Sequence, residues 1–134
     1  MNLLSIIVPV YNEEGSIGSL IQKLKKLDLS ISNFRKEIII VNDGSTDRSA
    51  SIIESFDEIV IKNQDNQGKG SAVQNGIESA NGNYILIQDG DLEYNPDDII
   101  KMCNQLGSYE NMSIYGSRYK PFYLGLFPKF YNFS

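Results

Sequence analysis

Four short apolar runs alternate with stretches patterned as helices, and that alternation leaves the chain few folds to adopt. The runs are residues 4–8 (LSIIV), 37–41 (EIIIV), 58–62 (EIVIK) and 84–88 (YILIQ). The runs at 4–8 and 37–41, apolar at consecutive positions, suit strands buried on both faces; 58–62 reads as a third, shorter strand and 84–88 as a fourth. After the first run, Ile17, Leu20, Ile21, Leu24 and Leu27 recur at spacings of three and four, the stripe of an amphipathic helix. Ala50, Ile53 and Phe56 mark a second helix face. A third helix opens at Gly68-Lys69-Gly70-Ser71 and runs to about Ala80, before the turn signal Asn81-Gly82-Asn83. Asn95-Pro96-Asp97-Asp98 then supplies a cap, a first-turn proline and two carboxylates that suit a helix dipole. The helix that follows carries Ile99, Ile100, Cys103 and Leu106, and residues 112–115 (MSIY) read as a fifth strand. Strand and helix in strict alternation predict an α/β fold, a Rossmann-like and mainly parallel sheet with helices on both faces.

Ligands of such sheets bind beyond the carboxyl ends of the strands, so the loops after each strand carry the chemistry. Those loops are Pro9-Val10-Tyr11-Asn12-Glu13-Glu14-Gly15, Asn42-Asp43-Gly44-Ser45-Thr46-Asp47, Asp89-Gly90-Asp91-Leu92-Glu93 and Gly116-Ser117-Arg118-Tyr119. A polar loop alone means little; polar, acidic and glycine residues gathered along one edge mean more. The sharpest feature is Asp89-Gly90-Asp91. Both carboxylates emerge where a buried strand ends, and they repel unless a cation or a proton intervenes. Oxygen donors with no histidine or cysteine nearby suit a hard ion, Mg²⁺ or Mn²⁺. The alternative is a solvated turn in which Asp91 caps the next segment. Asn66-Gln67-Gly68-Lys69-Gly70 offers backbone N–H groups and a lysine to phosphate, or is simply a turn before a helix; the Walker A spacing is absent. Arg118 suits a diphosphate or a surface salt bridge. Cys103 lies on an apolar helix face and reads as core.

Composition removes several chemistries. The chain has no histidine, which excludes Ser-His-Asp and Cys-His catalysis and any imidazole-dependent zinc site. One cysteine excludes an internal disulfide framework. With 134 residues it suits one domain, and a net charge of −5 argues against broad nucleic-acid binding, which wants a basic face. An anionic substrate would need a cation between it and the protein. The N-terminus lacks the basic start and cleavage site of a signal peptide, and no apolar run approaches the roughly 20 residues that span a bilayer. Half of the chain's tyrosine and phenylalanine residues fall after residue 118, joined by Lys120 and Lys129. That tail suits either a core element with partner strands further on or a membrane-interface segment.

Taken together, SIIVPVYNEE, IIIVNDGSTDRS, NQGKGSAVQNGIESANGNYILIQDGDLEYNPDDI and IYGSRY resemble the family-2 glycosyltransferases of the GT-A fold. The look is nearest to the polyprenyl- and dolichyl-phosphate sugar transferases, and it covers nearly all of residues 4–119. The resemblance implies a donor domain over 1–118 that binds a UDP- or GDP-linked sugar. Residues 119–134 would begin an acceptor-side segment, leaving the fold incomplete at its C-terminus. By resemblance, Pro9, Tyr11 and Glu13 contact the base and ribose, and Asp43 hydrogen-bonds the base. Lys69 lies near the nucleotide, Asp91 and Asp89 hold the metal, and Arg118 stands near the diphosphate. Asp89, Asp91 and Arg118 would thus carry catalysis. Many family members have alanine between the two aspartates and glutamine after the leucine; here these are Gly90 and Glu93, and Glu93 adds a negative charge. The reaction implied is transfer of the sugar, with inversion, to an acceptor such as a polyprenyl phosphate, at the cytoplasmic face of a membrane or in the cytoplasm.

Three rivals stand beside it. A truncated or non-catalytic nucleotide-sugar-binding fragment would bind without turnover. A sugar-1-phosphate nucleotidyltransferase would want a glycine-rich basic loop after the first strand, where residues 9–14 carry two carboxylates and no lysine or arginine. A hydride-transferring dinucleotide domain would want G-x-G-x-x-G there, and none is present.

Overall fold

The computed structural model describes residues 1–90, 95–108 and 122–125. Its strands are β1 (Asn2–Val10), β2 (Phe34–Asp43), β3 (Val60–Gln64), β4 (Tyr84–Gln88) and β5 (Phe122–Gly125). Its helices are α1 (Ile17–Lys26), α2 (Ser49–Glu54), α3 (Lys69–Ser79) and α4 (Pro96–Ser108). The sheet order is β3-β2-β1-β4-β5. β1 through β4 run parallel, and β5 lies antiparallel on β4. The expected strand at 112–115 lies outside the described residues, as does the tail apart from β5.

Alternation along each buried strand splits the core into two layers. Leu4, Ile6, Val8 and Val10 of β1 pack with Ile38, Ile40 and Leu86 against α1, α2 and α4. Ile7, Ile39, Val41 and Ile85 face the other way, toward Ala72 of α3 and Ala80. The stripe read from the sequence is the buried stripe of α1, formed by Ile17, Leu20, Ile21 and Leu24. Each such side chain contributes about 1.5–3 kcal/mol of gross hydrophobic stabilisation, before the entropy of ordering it. Ile99, Met102, Cys103 and Leu106 do the same for α4. Burial pushes the Cys103 thiol up to about 12, in keeping with a packing role.

The opposite layer is thinner because α3 brings small residues to the sheet. A Cβ at Gly76 would stand 2.5 Å from Cγ2 of Ile7, so glycine is what lets the helix approach. Below α3 the rim is polar. Asn81 N–H and Ser5 Oγ donate to the Glu37 carboxylate at 2.6 and 2.5 Å, and Gly82 N–H donates to Ser5 Oγ.

β1 and β2 extend past their apolar runs. They pair in register from Asn2↔Phe34 to Val10↔Asn42, and Asp43 pairs with Gln64 of β3. From β1 the chain works outward to β2 and β3, then returns to the other side of β1 with β4. The crevice between the carboxyl ends of β1 and β4 is therefore the switch point of the sheet, where such folds place ligands.

Candidate functional site

One cavity of about 250 Å³ lies at that crevice, lined by Pro9, Val10, Tyr11, Glu13, Asp43, Lys69, Ala72, Asp89 and Gly90. Every nucleotide-contact residue expected from the sequence within the described region is thus in its wall. Asp91, Glu93 and Arg118 lie outside the described residues.

Two loops are tied together to form one side. Asn12 takes a left-handed backbone (φ 52°). Its side-chain oxygen accepts N–H bonds from Thr46 at 2.7 Å and Asp47 at 3.3 Å. In return Asn12, Glu13 and Glu14 donate their backbone N–H groups to Ser45, Ser49 and Asp47. The motifs VYNEE and NDGSTDRS are therefore one structural unit, and it holds Tyr11 half-exposed at the cavity wall. α2 follows Arg48, which makes no side-chain cap bond, and just before it Asp47 accepts the Ser49 N–H at 2.8 Å. Ser16 closes the other side by donating its hydroxyl to the Gly90 carbonyl at 2.8 Å.

Asp43 belongs to the strand end, not to the loop. Its carboxylate accepts the N–H of Gln67 (2.8 Å), the N–H of Gly68 (3.0 Å) and the amide of Gln64 (2.8 Å). Burial alone would raise its pKa. The bonds from Gln67, Gln64 and Gly68 outweigh burial, and the carboxyl is held below its ordinary range. Two backbone N–H groups that the sequence offered to phosphate are thus engaged by Asp43. What the turn presents instead is the first residue of α3, Lys69, whose ammonium pairs with the Asp89 carboxylate.

Lys69 is the only basic side chain among the described residues lining the cavity, beside the carboxylates of Glu13, Asp43 and Asp89. Among the described residues, no group of three or more Asp, Glu, His or Cys side chains gathers to cage an ion. A hard ion that keeps most positions for water and phosphate needs only one or two carboxylates. Asp89 brings carboxylate oxygens, its described partner is the Lys69 ammonium, and no histidine or cysteine stands among the described residues lining the cavity, so its donor chemistry fits Mg²⁺ or Mn²⁺ bound in that manner.

Sequence reading passed over Asn12, Ser16 and Ser49 as site builders. A left-handed asparagine in a loop and a serine at a buried helix face are signals that only partners make legible. At Gly90 a Cβ would stand 3.3 Å from the Pro9 carbonyl and 3.6 Å from Glu13 Cγ, so the glycine lets the two loops approach closely.

The family model for glycosyl transferase family 2 matches residues 5–130. A dodecaprenyl-phosphate galacturonate synthase of Rhizobium johnstonii is 36% identical over 111 residues, 77% of this chain and 32% of that protein. The chain spans about a third of the length of the curated relatives it matches. Among solved structures, a mannosyltransferase from Pyrobaculum calidifontis in complex with GDP-Man and Mn²⁺ superimposes with a TM-score of 0.67 at 22% identity. That match covers 83% of this chain and 34% of the other. TarS of S. aureus in complex with UDP-GlcNAc gives 0.66 at 24% identity, over 90% and 38% of the two chains. Both likenesses establish the fold, GT-A, as the motifs implied.

Proposed function

The chain belongs to glycosyl transferase family 2, and from that premise we propose that it moves a sugar from a nucleoside-diphosphate sugar to an acceptor of the polyprenyl-phosphate class. The observation that carries the reading is the cavity at the switch point, where Pro9, Tyr11, Glu13, Asp43, Lys69 and Asp89 converge. The relative that is a dodecaprenyl-phosphate galacturonate synthase supports the acceptor class. The neighbours that hold GDP-Man with Mn²⁺ and UDP-GlcNAc support the donor class and a divalent ion.

In this reading the half-exposed Tyr11 ring covers the base, and Asp43 forms the polar floor beneath it. Lys69 reaches the diphosphate from the start of α3. Asp89 and Asp91 would hold Mg²⁺ or Mn²⁺, which when bound supplies positive charge to the departing diphosphate. Arg118 adds a further charge-assisted contact there. The sugar would pass to the acceptor with inversion, as the family resemblance implies. A phosphate acceptor is already ionised and makes no demand for a general base, in keeping with a chain that has no histidine. The net charge of −5 makes a cation the natural bridge between an acidic protein and an acidic donor. No helix among the described residues is long and apolar enough to cross a membrane. In this reading the lipid acceptor and the aromatic tail are points of contact with the cytoplasmic face of a membrane.

The test is incubation of the chain with radiolabelled UDP- and GDP-sugars, Mn²⁺ and polyprenyl phosphate in detergent. Label moving into the lipid fraction supports the enzyme. Donor binding without transfer points to a donor-binding role alone, and no binding of either nucleotide overturns the reading.

A further inference from the structure

Asp89 is mostly buried and Lys69 is mostly open to solvent. Their side chains are 14% and 53% exposed, and they are joined in an ion pair inside the cavity wall. A carboxylate withdrawn that far from water needs a counter-charge. The cavity supplies one from a flexible four-carbon stem. The foot of that stem is fixed, because Asp43 pins Gln67 and Gly68 just before α3 begins. Its head is free to move toward solvent, since more than half of the side chain is exposed. The head can therefore swing while the base stays put.

We propose that Lys69 is the resident counter-ion of Asp89 and competes with the divalent ion for it, so that metal and nucleotide bind cooperatively. An ammonium and a divalent cation repel each other at one carboxylate oxygen. While Lys69 holds Asp89, metal binds the free protein weakly. A diphosphate arriving in the cavity draws the ammonium to its own oxygens and releases Asp89. By linkage, the factor by which nucleotide tightens metal equals the factor by which metal tightens nucleotide. This rests on the reading of the cavity as a donor site, and assigns Lys69 a coupling role in addition to contact with the donor.

The experiment is a Mn²⁺ titration followed by electron paramagnetic resonance, with and without UDP or GDP. It is run on the wild-type chain and on Lys69→Met, Lys69→Gln and Lys69→Arg, each first shown to be folded by circular dichroism. Without nucleotide, Lys69→Met and Lys69→Gln should bind Mn²⁺ on the order of fivefold more tightly than wild type. The gain that nucleotide confers should shrink by the same factor, whereas Lys69→Arg should behave like wild type. Lysine loss that leaves Mn²⁺ affinity and its dependence on nucleotide unchanged overturns the counter-ion role while leaving the donor site intact. Absence of Mn²⁺ and nucleotide binding from every chain, wild type included, overturns the donor site and this inference together.

Discussion

At the scale of single residues, Asp43 does more than the sequence could announce. Its partners Gln67 and Gly68 come 24 and 25 positions later, so no local pattern reveals them. Replacing it with alanine leaves those donors unpaired and should cost about 1–3 kcal/mol, read from the urea midpoint at constant slope. Nucleotide affinity should fall with it. Acid should act through the same group. The Asp43 and Glu37 carboxyls are both held below their ordinary values of 3.8 and 4.5, each because hydrogen bonds outweigh the opposing effect of burial. A depressed folded-state pKa gives stability that is present above the ordinary value and lost as pH falls through the folded one. Unfolding free energy should therefore be flat near neutrality and decline below about pH 4.5. In Asp43→Asn that decline should be shallower; an identical pH profile in the variant would contradict the assignment. Gly76→Ala should cost about 1–3 kcal/mol, because the new methyl meets Ile7.

At the scale of elements, patterning showed itself where burial alone decides. β4 spans the run read from the sequence, residues 84–88, and α4 starts at Pro96 after an Asn95 side chain that accepts the Asp97 N–H. The ends of β1, β2 and β3 were not legible, since polar residues such as Asn42, Asp43 and Gln64 join strands through register with neighbours, not through hydrophobicity. The six expected contact residues Pro9, Tyr11, Glu13, Asp43, Lys69 and Asp89 all meet, because the parallel topology puts every loop that holds them on one edge. The pairing of Lys69 with Asp89 joins residues on different elements, and only the fold shows it. The two tied loops allow a test at this scale. Asn12→Gly keeps the left-handed backbone accessible but loses the bonds to Thr46 and Asp47, whereas Asn12→Ala loses both. Both should bind nucleotide several-fold more weakly, with alanine the worse in stability by about 1 kcal/mol. Equal stability of the two would show that the φ of Asn12 carries no strain.

For the molecule as a whole, acidity sets how the donor arrives. An acidic protein repels an acidic nucleotide over about 10 Å at ordinary salt. With chelator present, added salt should speed nucleotide association by screening that repulsion. With Mn²⁺ present, that salt effect should weaken, because the ion offsets part of the negative charge that meets on encounter; stopped-flow fluorescence would register the smaller slope. The same architecture has a quieter consequence. α3 is rich in residues that make poor isolated helices, among them Gly70, Asn75 and Gly76, and it starts where a carboxylate of β2 holds the chain. Its order is borrowed from the strand beside it. During synthesis that wall of the pocket would acquire its shape only after β2 had found its place. A nascent chain that grips nucleotide would thereby report that its sheet is already assembled.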